Sequence, residues 1–348
     1  MNKKPNPFDI VLHHKIAVTF IATFLLLPFL LGNMPSGKYY MRLAFEVFIF
    51  AAAGTAWNIL GGFGRQVSWA SASFFATGAY TSMLMGLHLG TSPWISILVG
   101  MPVAALLAVI IGAPSFKLRG VFFSIATISF AGIVRQLLIY LKDFTGGAQG
   151  LRFPLPKVND FWLLRFQKNA DFPFYYIAMA WMLISVLVVV IINQSRLGYY
   201  LKAIREDEDA AESLGIRAHK MKLYAFLISA MMLAASGTLY AYRMGSIDPV
   251  AVASHDLSIK IAVIAIVGGM GTVWGPVLGS FIAVLALEFA NRYLGMLGSG
   301  GAGFVLFGLA IVLIVLLRPN GLITLWDNHE IRRAARRAQQ AGKGADAS

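Results

Sequence analysis

Cysteine is absent from this 348-residue chain and charge is scarce, with Asp, Glu, Lys and Arg together at 13%. No disulfide framework and no thiolate metal site can exist. The six histidines do not stand in for them, because His13 and His14 are adjacent while His88, His219, His255 and His329 are isolated. No metal centre is expected. Also missing is any Gly-x-x-x-x-Gly-Lys-Ser/Thr run, the backbone cradle and lysine that hold nucleotide phosphates. The chain is not expected to bind a cofactor or to hydrolyse ATP itself. A soluble domain carries about 25% charged residues, and at 58% hydrophobic this chain is far from that. Water is not its main solvent.

What is present is a series of long apolar runs, at about 16–32, 43–60, 67–88, 93–112, 120–141, 174–192, 223–242, 257–273, 276–291 and 301–317. A span needs about 20 mostly apolar residues, so the pattern predicts an all-α integral membrane protein with eight to ten transmembrane or re-entrant helices. Interruption by glycine marks 67–88 and the pair around Gly268–Pro276 as candidates for re-entrant hairpins. The net charge of +13 raises nucleic acid as a partner, but positive residues in a membrane protein mark its cytoplasmic loops. With a cytoplasmic N-terminus, strict alternation puts the first residues, 61–66, 113–119, 193–222 and the C-terminal tail inside, and most of the 29 lysines and arginines lie there. The expected organisation is a tail over 1–15, one membrane domain over 16–320 with a cytoplasmic loop at 193–222 and a long external loop at 142–173, and a basic tail over 321–348. Both termini are expected inside, with no nucleic acid bound. The basic start followed by an apolar run resembles a signal peptide, but Gly-Asn-Met-Pro-Ser-Gly after Leu31 offers no cleavage pattern. An uncleaved first helix is expected. Arg332, Arg333, Arg336 and Arg337 read as a lipid-adjacent anchor.

Five of the 16 acidic residues, Glu206, Asp207, Glu208, Asp209 and Glu212, crowd into the 193–222 loop. Leu197, Leu201, Ile204, Ala211 and Leu214 recur there at helical spacing, and Gly215 is placed to stop the helix. Such a helix can lie on a membrane surface. Anionic headgroups, however, repel a run of acids, and a protein partner with a basic or polar cleft fits better.

The stretch from Ala203 to Ile216 resembles the coupling loop of ATP-binding-cassette (ABC) importer permeases, whose signature is Glu-Ala-Ala, three residues, then Gly. Asp209, Ala210, Ala211 and Gly215 occupy that pattern, with Asp in place of Glu. The resemblance implies an ABC importer permease fold in which two short helices, joined near the glycine, insert into a cleft on an ATPase. The residues implied in ATPase coupling are Arg205, Glu206, Asp207, Glu208, Asp209, Ala210, Ala211, Glu212, Leu214 and Gly215. Further stretches, Ala56–Ser68, Phe74–Tyr80, Leu118–Phe123, Thr145–Gly150 and Gly268–Pro276, are similar to branched-chain amino-acid permeases of the LivM type. Together they cover about 44–320. The resemblance implies a permease that carries branched-chain or related amino acids across a bacterial inner membrane. Its implied partners are a homologous second permease, two ABC ATPase subunits that hold ATP and Mg, a periplasmic or surface solute-binding protein, and the lipid. Related permeases carry urea, amides or other small neutral solutes, and the residues do not separate these cargoes.

An ion-coupled secondary transporter, the rival reading, hides carboxylates near the membrane centre, and few are found here. Arg42 with Glu46 and Glu288 with Arg292 stand four apart, at spacings that allow local pairing, and Arg135 and Lys260 lie close enough to segment ends to snorkel. A neutral pathway suits an uncharged or zwitterionic solute. Candidate pathway residues are Asn58, Ser68, Ser71, Ser73 and Thr77, where small and hydroxyl residues are dense, and Gly268, Gly269 and Gly271. For the hydroxyls, helix packing is the competing role; for the glycines, a tight cytoplasmic turn.

Overall fold

The computed structural model describes residues 36–153, 162–164 and 171–295, together with Phe24, Leu27, Pro28 and Gly308. The expected helices at 16–32 and 301–317, both tails and much of the 142–173 loop lie outside these residues. Helices dominate what is described: α1 (Gly37–Asn58), α2 (Ser71–His88), α3 (Pro93–Ser115), α4 (Val121–Tyr140), α5 (Asp171–Gln194), α6 (Arg196–Glu206), α7 (Glu208–Ser213), α8 (Ala218–Met244), α9 (His255–Gly268) and α10 (Gly275–Gly295). Strands β1 (Leu151–Arg152) and β2 (Ser246–Ile247) pair antiparallel. Among the described residues six helical stretches are long and apolar enough to span a membrane, and α10 adds a shorter apolar one at Gly275–Ala290.

Small residues decide which helices meet. The α-carbon of Gly78 on α2 lies against the carbonyl of Ala234 on α8, and Gly237 lies in the same way against Phe75. Thr238 Oγ1 donates to Gly78 O at 3.0 Å. Without water to drive association, such close approach supplies the attraction between spans. α1 sits at the centre of the bundle, packed against α5, α8, α9 and α10.

The interruption before α2 is a non-helical entry to an 18-residue helix, Ser71–His88, which is not among the six long apolar stretches. α1 tightens into a π turn over Ile59–Phe63, and the chain then runs without helix to Ala70 with Gln66, Ser68 and Ala70 buried. Irregular backbone within a membrane domain must be satisfied by protein. Here Ser68 O accepts from Trp57 Nε1, Val67 O from Ser124 Oγ, and the amides of Trp69 and Ala72 donate to Thr127 Oγ1 and Ser258 Oγ.

Loops segregate to two ends. At one end lie the turn after α1, the α3–α4 turn, α6–α7 and the α9–α10 turn. At the other, β1 joins β2, Phe153 N donates to Gly245 O at 2.8 Å, and Ser92 Oγ donates to Trp162 O at 2.7 Å. The charges expected to pair locally do not. Arg42 Nε donates to Asp171 at 3.1 Å, and Arg243 pairs with the same carboxylate. Glu288 accepts from Tyr39 at 2.9 Å. A buried acid at the head of α5 attracts guanidinium groups from two other helices more strongly than an i+4 neighbour can. Lys260 does not snorkel; its ammonium lies 3.6 Å from the centroid of Phe50.

Candidate functional site

The acidic loop is two helices. Asp207 leaves helical geometry (φ −155, ψ 115) and its side chain accepts from Ala210 N at 2.9 Å, which caps α7. An Asp at this position satisfies an amide that the helix start leaves free. The joint between the short helices is therefore Asp207. Gly215, expected near the joint, instead ends the second helix and turns the chain into α8, at φ +86 with open space around it. Only its backbone conformation calls for glycine.

Three of the five acids form ion pairs within the chain. Glu208 meets the ammonium of buried Lys222 at 2.7 Å, which ties α7 to the first turn of α8. Arg119, at the head of α4, meets Asp209 at 2.8 Å and Glu212 at 3.9 Å. Arg119 donates to Asp209, and that hydrogen bond, ahead of the carboxylate's charge, raises the Arg119 pKa further, so the guanidinium stays charged. Glu206 is exposed and has no ion-pair partner among the described residues.

The apolar pattern divides in the same way. Leu201, Ile204 and Ala211 are buried, and Ile204, Ala211 and Ala218 form a small core of their own. Leu214, expected on that buried face, is 83% exposed. Breaking the helix at Asp207 shifts the register, so a single helical wheel across the loop fails beyond Glu206. The outward surface of the loop is Glu206, Asp207, Asp209, Ala210, Glu212, Leu214 and Gly215, while Ala211 and Arg205 face the membrane domain.

Arg205 joins this loop to two glycine turns beneath it. Its Nη1 donates to Gly62 O at 3.4 Å and lies 2.5 Å from where a Cβ on Gly271 would sit. Gly271 also has φ +74, so both its conformation and the approach of the guanidinium require glycine. Fully buried Asn58 stitches the turns together, donating from Nδ2 to Thr272 O at 2.7 Å and accepting at Oδ1 from Gly271 N at 2.8 Å. Lys202 adds a cation–π contact with Phe63 at 5.8 Å. The structure thus gathers Arg205, Asn58, Gly269 and Gly271 into one node, with Gly268 packed against Gly275 beside it. The Gly268–Pro276 run is a hairpin turn at the end of the bundle that carries α6 and α7.

The remaining pathway candidates are elsewhere. Ser68, Ser71 and Ser73 are buried, at the entry to α2. Ser68 Oγ accepts from Ala70 N, and Thr77 Oγ1 donates to Ser73 O within its own helix. Sequence reasoning missed Arg119 and Lys222 as holders of the loop, although both are cations on stretches assigned to the same side.

Comparison with known proteins adds a family. The family model described as branched-chain amino acid transport system / permease component matches residues 39–317. The high-affinity branched-chain amino acid transport system permease protein LivM of Escherichia coli (strain K12) is 27% identical over 313 residues, which is 84% of this chain and 72% of that protein. Permease protein LivH of the same strain and transport system is 24% identical over 295 residues, 79% of this chain and 91% of LivH. Among solved structures, PsaBC from Streptococcus pneumoniae in complex with Fab aligns over 88% of this chain and 99% of its own, at 15% identity and a TM-score of 0.46.

Proposed function

The chain belongs to the family of branched-chain amino acid transport permease components, and from that premise we propose that it is the membrane-spanning subunit of an ATP-driven importer for branched-chain or related amino acids. It works in a bacterial inner membrane as one of two homologous permeases. Likeness to both LivM and LivH supports the pairing. Two ATPase subunits bind ATP and Mg and close on nucleotide, and a solute-binding protein delivers cargo at the end that carries β1 and β2. The chain itself catalyses no reaction.

The observation that carries this reading is the α6–α7 loop. Its inner side is fixed by Lys222 and Arg205, Arg119 bridges Asp209 and Glu212 at its surface, and its outer side presents acids around an exposed leucine. A surface held rigidly from behind can transmit displacement. When the ATPase moves α7, Arg205 carries the motion to the Gly62 and Gly271 turns. Those turns end α1 and join α9 to α10, so the central helix of the bundle moves with the loop. Exposed apolar side chains ringed by polar groups mark protein contacts.

Leu214→Asp tests the contact without disturbing the core. Copurification of the ATPase with the tagged permease is expected to fall at least tenfold, with the permease's own melting temperature unchanged. Undiminished copurification would sink the coupling role of this surface.

A further inference from the structure

The end of the bundle opposite the coupling loop holds two groups of charges that are treated differently. In the first, Asp171 takes both Arg42 and Arg243, and the Arg243 guanidinium also lies 5.9 Å from the Phe45 centroid and 5.6 Å from that of Phe174. This group is satisfied. The second consists of Glu46 on α1 and Lys260 on α9, both half-buried. Yet the two make no N–O approach within 4.0 Å, and neither has a hydrogen bond among the described residues. Lys260 rests on the ring of Phe50 instead.

Opposite charges inside a membrane domain normally pair or bond to carbonyls, because leaving them apart is costly. Close by, the same bundle does pair Asp171. A cation held over an aromatic face keeps part of its stabilisation, and Glu46 has not even that. Phe50 follows Glu46 by four residues on α1, on one face of the helix. Tyr240 of α8 packs beside it, its ring 6.3 Å from Phe50 and 5.5 Å from Phe75. A half-buried acid and a half-buried base thus flank the aromatic carbon of Phe50 and Tyr240.

We infer that Glu46 and Lys260 form a transit site for the charged backbone of a zwitterionic amino acid. Lys260 receives the α-carboxylate and Glu46 the α-ammonium, with Phe50 and Tyr240 against the apolar side chain. This rests on the proposed import of amino acids and gives that import a location in the chain. A zwitterion inserted here completes two ion pairs at once, whereas a solute lacking either charge completes only one. Since neither group has an ion-pair partner among the described residues, the solute need not break an existing pair to enter.

The test uses the complete importer with its binding protein in proteoliposomes, with tritiated leucine, isoleucine and valine as probes. Lys260→Met and Glu46→Gln are each expected to lower uptake at least tenfold and to raise the ATP hydrolysed per amino acid moved. Subunit copurification and binding-protein docking should stay at the wild-type level. Uptake within twofold of wild type in both variants would overturn the transit site and leave the importer reading standing. So would joint loss of uptake and assembly that the exchanged pair Glu46→Lys with Lys260→Glu restores, since that pattern belongs to a structural ion pair. A wild-type complex that moves none of the three probes removes the premise, and the transit site with it.

Discussion

Helix α1 with its π turn and helix α4 have almost the same hydropathy, 1.6 and 1.7, but 89% of the first is buried by protein and only 17% of the second. Hydropathy measures the cost of leaving water and is blind to what replaces it, since lipid tails are as apolar as leucine. Side-chain size makes the difference. α1 runs through Ala51, Ala52, Ala53, Gly54, Thr55 and Ala56, all fully buried or nearly so, and other helices close on it. α4 presents Val121, Phe122, Ile125, Ile133 and Leu137 outward. These bulky groups hold neighbours off and suit lipid.

Three substitutions probe that contrast. The largest effect is expected from Gly54→Leu, because even a Cβ at Gly54 would lie 2.8 Å from the Ile264 side chain. Overpacking of this kind costs about 3 kcal/mol and should appear as a fall of several degrees in the melting temperature of the purified protein. Asn58→Ala, at the foot of the same helix, strips the partners from Gly271 N and Thr272 O. A loss of about 2 kcal/mol is expected, with faster hydrogen exchange confined to the α9–α10 turn. Ile133→Ala on α4 removes a side chain that is 61% exposed and should change stability by less than about 0.5 kcal/mol. A drop as large as that of Gly54→Leu would mean that the outward face of α4 is covered in the purified protein, and the contrast would fail.

Much of this was legible beforehand, and the exceptions have physical causes. The positions of the six described spans followed from apolar run length, because a membrane domain must place about 20 such residues in each. The two-sided character of the 193–222 loop was visible in its acids and its helical spacing. The break at Asp207 was not, because Glu206, Asp207, Glu208 and Asp209 are four consecutive acids and tertiary contacts decide which of them caps. Once Glu208 is drawn to Lys222 and Asp209 to Arg119, Asp207 is left for the amide of Ala210. Leu214 was misplaced for the same reason. The pairing of Arg42 with Asp171 spans 129 positions, beyond what a local spacing rule can see. Asn58, Gly271 and Arg205 were each singled out, but only the fold brings them together.

The 27 residues of α8 run unbroken from Ala218, beside α7, to Met244, just before β2 pairs with β1. At 1.5 Å per residue this is a rod of about 40 Å, and no proline interrupts it. Geometry then sets a gear ratio: a tilt of about 5° pivoting at one end sweeps the other by roughly 3.5 Å over that length. Because Lys222 anchors one end to α7 and β2 ties the other to the strand across from it, such a tilt is shared by both ends of the protein as a single angle.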